Sequence, residues 1–224
     1  MKKIFELINK NLSWLIFTRS EPPSDKKQPP LITISRERGS GGKIIAGLVV
    51  KKLGKKWRLY HKELIEKIAK SAHLKSKLIK EIDEKRLSLI DQIVADFFGK
   101  KYLSLTSYQK LLTKTIAEIN QKGYAVIVGR GAEYLAPHAL KVRIICEMNQ
   151  RIKWMMKFEK MTKEQAIKAI EKSDQERYEF IKTLYNHDIR KAHHYDLVIR
   201  TGEDISLEDA ASLIVLAAKR RFKL

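Results

Sequence analysis

Cysteine is all but missing from this sequence. Cys146 is the single one, so the disulfide framework that staples small secreted domains is excluded. It sits in the apolar run VRIIC and reads as a small core residue, and a reducing, cytoplasmic setting fits. Long apolar runs are missing too: nothing approaches the ~18 residues of a membrane-spanning helix. Proline is scarce outside one place, since four of the five prolines lie between Thr18 and Pro30, which marks a linker. Acidic residues are in deficit, 26 against 46 Lys and Arg, for a formal charge of +20. Such an excess favours polyanionic company: nucleotides, nucleic acid or an anionic membrane surface. Much of it is lysine spread along helices, so a merely lysine-rich surface competes with that reading. No spacing supports a Ser-His-Asp or Cys-His arrangement. The histidines His187, His193 and His194 lack a metal-ligand pattern with Cys or carboxylates, so no zinc site is expected. There is no internal repeat.

What is present is organised around Leu31 to Ala46, LITISRERGSGGKIIA. Leu31–Ile34 is a short β-branched run that suits a strand buried on both faces. Gly39, Ser40, Gly41 and Gly42 follow, and a helical pattern begins at Lys43 and runs to Leu53. Strand, glycine-rich turn and helix make a phosphate cradle. Glycines let backbone N–H groups approach phosphate oxygens, and the helix amino end adds positive partial charge. Arg36, Arg38 and Lys43 crowd the same turn, and crowded cations call for an anion. The bland alternative is a tight turn without a ligand. The common phosphate-loop pattern G-x-x-x-x-G-K-S/T fits in neither of two registers. With Lys43 as its lysine, Glu37 replaces the first glycine and Ile44 the metal-binding hydroxyl. With Gly41 as its last glycine, Gly42 replaces the lysine and Arg36 the first glycine.

Upstream, Lys2–Phe17 reads as an amphipathic helix, packed on its own domain or a second subunit, or lying on a membrane surface. Downstream, strands and helices alternate. Trp57–Tyr60 is a strand candidate, and helical periodicity runs from Lys62 to about Phe98 and from about Thr106 to Gln121, ended by Gly123. Strands are expected at Tyr124–Val128, Val142–Glu147 and within His194–Arg200. Helices are expected at about Asn149–Glu159 and Thr162–Thr183, and again after Ser206 as N-cap, with Glu208 and Asp209 in the first turn. This alternation predicts a parallel sheet with helices on both faces. Ligands of such sheets sit beyond the C-terminal strand ends. Three stretches should therefore meet there: the glycine loop, Gly129-Arg130-Gly131 after YAVIV, and the residues after VRIICE. Arg130 at that edge can take two phosphate oxygens or pair with a nearby carboxylate. Asp174 and Arg177 lie one turn apart; on spacing alone they are an ordinary helical ion pair worth a few tenths of a kcal/mol.

The ordered set of motifs resembles the cytidylate kinase-like family, a branch of the P-loop nucleoside monophosphate kinases. It comprises ITISRERGSGGKIIAGLVVKKLG, YHKELIEKIAK, VIVGRGAEYL, KVRIICEM followed by Gln150-Arg151, DQER at Asp174–Arg177, and YDLVIRT leading to SLEDAASLI. It spans about Leu31 to Arg221. The resemblance implies a three-layer α/β P-loop kinase fold over residues 31–224, with a helical substrate insert at about 62–122 and a lid at about 160–194; residues 1–30 lie outside it. It implies phosphoryl transfer from ATP, with Mg²⁺, to a nucleoside monophosphate such as CMP or dCMP. Carried over residue by residue, Gly39, Ser40, Gly41 and Gly42 hold donor phosphates, with Arg36, Lys43 and Ile44 in the same cradle and Lys43 or Arg36 as its cation. Arg130 contacts the acceptor's phosphate, Asp174 the acceptor side and Arg177 the transferring phosphate. The chain departs from the family pattern in two places. Val128-Gly129-Arg130-Gly131 stands where well-characterised cytidylate kinases have D-G-R-D, and His61 stands where an aspartate is usual on the acceptor side. No metal-ligating residue is identified. These departures and the charge motivate an alternative: a catalytically decayed kinase scaffold that binds nucleotides or nucleic acid. The expected location is the cytoplasm, with residues 1–17 as a candidate membrane tether or dimer contact.

Overall fold

The computed structural model describes residues 28–61, residue 64 and residues 105–224. The expected amino-terminal helix, most of the linker and the helical run through 62–98 lie outside the described residues, Leu64 excepted.

Strand β1 (Leu31–Arg36) is the middle of a five-stranded parallel sheet. Beside it run β3 (Ala125–Val128) and β4 (Leu140–Cys146), and β2 (Arg58–Tyr60) and β5 (Leu197–Thr201) form the edges. Leu31 pairs with Ala125 and Ile34 with Val128 on one side, while Ile32 pairs with Leu140 and Arg36 with Ile144 on the other. Successive side chains of a strand point to opposite faces, and the sequence uses both. Leu31, Ala125 and Ile127 enter one apolar cluster, and Ile32, Ile34, Val126 and Val128 enter the other. These strands are therefore apolar on both faces, as a strand covered above and below must be.

The first cluster is closed by α2 (Leu105–Lys122), the short α3 (Ala132–Leu135) and α5 (Lys163–Tyr185), through Tyr108, Leu112, Ile116, Ile181 and Leu184. Each fully buried side chain of this size contributes roughly 1.5–3 kcal/mol of transfer free energy. The second cluster is closed by α1 (Gly42–Leu53) and α6 (Leu207–Phe222), through Ile45, Val49, Ala211 and Ile214. Between β4 and α5 runs α4 (Met148–Glu159), which meets α5 through Ile152, Met155, Ala166 and Ile170. The result is three layers, helix, sheet, helix, as the alternation predicted.

The helix boundaries follow from local chemistry. Thr162 and Gln165 form a capping box at the start of α5, and Ser206 and Asp209 form another at the start of α6. Gly123 ends α2 at φ +64°, donating to the Ile119 carbonyl. Two differences from the sequence reading stand out. Helix α5 runs two residues beyond Thr183, and α3 was not expected at all, because four residues are too few for a 3.6-residue period to show. Among the described residues no helix is long and apolar enough to cross a membrane.

Candidate functional site

The C-terminal edge of the sheet is where the expected stretches meet. Glu37, which spoiled the phosphate-loop pattern, is a structural tie. Its N–H donates to the Ile144 carbonyl, and its Oε2 accepts the N–H of Cys146 at 3.0 Å. Its own carbonyl accepts both the N–H and the hydroxyl of Ser40, the latter at 2.9 Å. Glu37 therefore binds the glycine loop to the end of β4. A glycine there would remove the carboxylate that the Cys146 N–H bonds.

Within the loop, Gly39 and Gly41 have φ of +79° and +81°, the left-handed region that favours glycine. Gly41 is the N-cap of α1, which has no side-chain cap and no acidic residue in its first turn. Its positive end is thus left to an outside anion. Gly42 serves a different purpose: a Cβ there would sit 2.6 Å from the Cβ of Arg36. A Cβ at Gly129 would sit 2.3 Å from Nη1 of the same arginine. The Arg36 side chain thus lies across from the glycine loop to the turn after β3, in space kept clear by two glycines. That turn is unusual, because Gly129, Arg130 and Gly131 all have positive φ, at 76°, 62° and 68°. Arg130 is held in this costly conformation by the Tyr185 hydroxyl, which donates to its carbonyl at 2.9 Å.

Residues Arg36, Arg38, Arg130 and Arg177 line one cavity of about 260 Å³, with Ser35 and His61 on its wall and Phe180, Ile181 and Ile189 supplying an apolar side. Arg177 reports the crowding. Burial, with the neighbouring charges of Arg38, Arg130 and Arg151, pulls its pKa down to about 10, while Asp174 opposes the fall. Arginines packed this closely repel one another and favour an anion between them. A second cavity of about 330 Å³ is lined by Glu147, Asn149, Lys153, Thr201 and Gly202 among others. Thr201 joins it to the loop, its hydroxyl donating to the Ser40 carbonyl at 3.0 Å.

Of the sequence-derived candidates, Gly39, Ser40, Gly41, Gly42, Lys43, Ile44 and Asp174 do not line the cavity. Lys43 and Ile44 lie on the first turn of α1, both exposed, Ile44 to 52%. Asp174 is occupied by protein. Its carboxylate accepts the Arg38 N–H at 2.8 Å and Nη1 of Arg177 at 3.2 Å, and it pairs with Arg151. Arg151, on α4 and only 7% exposed, also donates to the Arg38 carbonyl at 2.6 Å. Arg38 in turn pairs with Glu159 at the end of α4. Helices α4 and α5 are thereby strapped to the glycine loop.

Sequence reasoning missed Arg151, Arg143 and Glu133. Arg151 was visible as the first charged residue of the helix after β4, inside the third converging stretch. Arg143 hid in a strand that reads as apolar; it is 4% exposed, donates to the Ser35 hydroxyl at 2.9 Å and faces the Tyr195 ring. Glu133 lay just beyond Arg130 in a helix too short to detect. Among the described residues the side chains do not fit a protein-held magnesium ion. Ile44 has no donor atom, Glu133 is a buried carboxyl facing the cations Arg143, Arg36 and Lys141, and no group of three His, Cys, Asp or Glu could hold a metal.

A solved structure of an uncharacterized protein from Eubacterium ventriosum ATCC 27560 superposes with TM-score 0.63 at 21% identity, covering 85% of this chain and 98% of that one. The shikimate kinase of Bacteroides thetaiotaomicron gives TM-score 0.47 at 12% identity, covering 87% and 99%. None of the curated proteins compared with the chain matches it. The model of the cytidylate kinase-like family matches residues 31–203. The family is one of kinase-type phosphoryl transfer, and the chain belongs to the cytidylate kinase-like family.

Proposed function

We propose that the protein transfers a phosphoryl group from ATP to a nucleoside monophosphate, with CMP or dCMP as acceptor. The observation that carries this reading is the convergence of Arg36, Arg38, Arg130 and Arg177 on one cavity at the C-terminal edge of β1 and β3. A second cavity is tied to the glycine loop through the hydrogen bond from Thr201 to the Ser40 carbonyl. A transferase of this kind needs two adjoining sites, and a single-site binder needs one.

In this reading the backbone of Gly39–Gly42 and the uncapped end of α1 take the donor phosphates. The second cavity takes the donor nucleoside. Arg130 takes the acceptor's phosphate, and Arg177 and Arg36 neutralise charge on the group in transfer. Phosphoryl transfer asks little covalent chemistry of a protein; positioned cations and excluded water account for most of the rate. Asp174 holds Arg38, Arg151 and Arg177 in register instead of touching substrate. His61 lies on the acceptor side of the wall. Magnesium arriving with ATP is left to phosphate oxygens and water.

The test is turnover. Purified protein with Mg-ATP and a panel of nucleoside monophosphates should yield ADP and a nucleoside diphosphate, fastest with CMP or dCMP. Arg130→Ala should lower kcat/KM by about 10²–10³, the usual cost of removing one preorganised charge-stabilising group. No turnover with any monophosphate would sink the reading.

The exposed Ile44 and the lack of a metal-ligating group among the described residues favour one second reading, a nucleotide-binding scaffold without catalysis. It predicts that ATP raises the melting temperature while no ADP forms.

A further inference from the structure

The wall of the phosphate cavity contains a carboxyl that the reaction described above leaves unused. Glu133 stands in the first turn of α3, in the segment that follows Arg130. It is 2% exposed and lines the cavity. Its Oε2 is fully buried and accepts no hydrogen bond. Burial raises its pKa; its own backbone N–H and the positive charges of Arg143, Arg36 and Lys141 pull the other way.

Buried carboxyl oxygens are nearly always satisfied, and one that is not costs the fold stability. A purely structural glutamate here would be expected to bond Arg36 or Arg143 through this oxygen. Instead Arg143 donates to Ser35 and the Arg36 guanidinium lies over Gly129. The orphaned oxygen belongs to a residue on the same cavity wall as Arg130, and both residues follow directly on β3. A molecule whose phosphate engages Arg130 therefore extends its remaining atoms over a wall that already contains this carboxyl.

We infer that Glu133 is an acceptor-binding residue: its buried carboxyl takes a hydrogen bond from a sugar hydroxyl or a base amino group of the molecule whose phosphate Arg130 holds. This rests on the phosphotransferase reading for the identity of the acceptor. A site built to bond a substrate hydroxyl or amino group discriminates strongly against analogues that lack it, because the protein group is then left unpaired.

The experiment compares wild type with Glu133→Gln, which keeps an acceptor oxygen, and Glu133→Leu, which keeps none. Steady-state kinetics are run with CMP, dCMP and UMP at saturating ATP, beside thermal melts and calorimetric titration with CMP. The expected result for Glu133→Leu is a rise of about 10- to 100-fold in acceptor KM. The KM for ATP should stay unchanged, and the melting temperature should be equal or higher, since a desolvated carboxyl has been replaced by an apolar group. Glu133→Gln should fall between. Collapse of the CMP-to-dCMP ratio identifies the 2′-hydroxyl as donor, collapse of the CMP-to-UMP ratio identifies the amino group, and an equal rise for all three identifies the shared 3′-hydroxyl. Wild-type acceptor KM in Glu133→Leu overturns the inference, as does an equal rise in the KM of ATP. If wild type binds CMP without turnover and Glu133→Leu loses that binding, the kinase reading falls and Glu133 stands. If wild type binds no monophosphate, both fall.

Discussion

Gly131 and Gly47 are the same residue with opposite consequences. At Gly131 the backbone has φ +68°, and an added Cβ would lie 2.1 Å from the ring of Tyr185, whose hydroxyl fixes the Arg130 carbonyl. At Gly47, inside α1, an added Cβ meets nothing within 4 Å. Gly131→Ala should therefore cost about 2–4 kcal/mol, combining left-handed strain with overpacking. Gly47→Ala should stabilise by about 0.5–1 kcal/mol, because alanine loses less backbone entropy in a helix. Urea unfolding midpoints at constant m-value test both. The sequence displays glycines at 39, 41, 42, 129 and 131 as one chemical type. That they gather at the C-terminal edge of the sheet was legible from their place after strands. That Gly42 and Gly129 make room for the bulk of Arg36 was not legible, because the neighbour lies far away in sequence or on the far side of the turn. Glu37 is the same lesson reversed, a misfit to a motif that turns out to be a bond to Cys146.

At the scale of elements, the junction of α4, α5 and the glycine loop turns on Asp174. Periodicity made Asp174 and Arg177 an ordinary surface pair worth little, and resemblance made them substrate contacts. In the structure the carboxylate is a hub for one backbone N–H and two arginines. Its loss would leave Arg151, 7% exposed, short of a principal partner. Breaking a buried pair from one side typically costs ~3–5 kcal/mol. Glu37, 3.7 Å from Arg151, keeps part of the compensation. Asp174→Asn should accordingly cost about 2–3 kcal/mol and speed hydrogen exchange at the N–H of Arg38, which loses its charged acceptor. Unchanged exchange at Arg38 would show that the strap is not what orders the loop. Helix lengths were readable because caps such as Thr162 and Ser206 act locally. The strap was not, because its partners are separated by more than a hundred residues.

For the whole molecule, a half-buried histidine pair and a buried glutamate pull stability in opposite directions with pH. His187 stacks on Tyr134 at 4.5 Å with rings 5° apart and meets His194 at 4.9 Å. Burial first, and then neighbouring charges, lowers the pKa of both. The unfolded chain therefore binds the proton more readily. This contribution is full above the ordinary value of 6.5 and is lost as pH falls through the window beneath it. Glu133 behaves oppositely, because its raised pKa makes the folded state hold the proton more tightly. Its contribution is full below the ordinary 4.5 and is lost as pH rises through the raised value. Stability measured from about pH 4.5 to 7.5 should rise more steeply with pH in Glu133→Gln than in wild type, and less steeply in a His187→Gln, His194→Gln double variant. Parallel curves for all three proteins would refute the assignment. The three-layer parallel architecture was legible, since apolar strands alternating with amphipathic helices leave few alternatives. The strand order β2-β3-β1-β4-β5 was hidden, because it is fixed by pairs such as Ile32 with Leu140 that no local pattern announces.

That order has a consequence for synthesis. Strand β1 occupies the centre of the sheet, yet both its neighbours are encoded much later, Ala125 opposite Leu31 and Leu140 opposite Ile32. At ~5–20 residues per second a ribosome needs on the order of 5–20 s to deliver the first of them. Throughout that interval a strand apolar on both faces, with two unpaired edges, waits beside the tunnel exit. The partners that will cover those edges do not yet exist, so holding chaperones and the pace of translation, more than the finished sheet's stability, will set how much of this protein a cell accumulates.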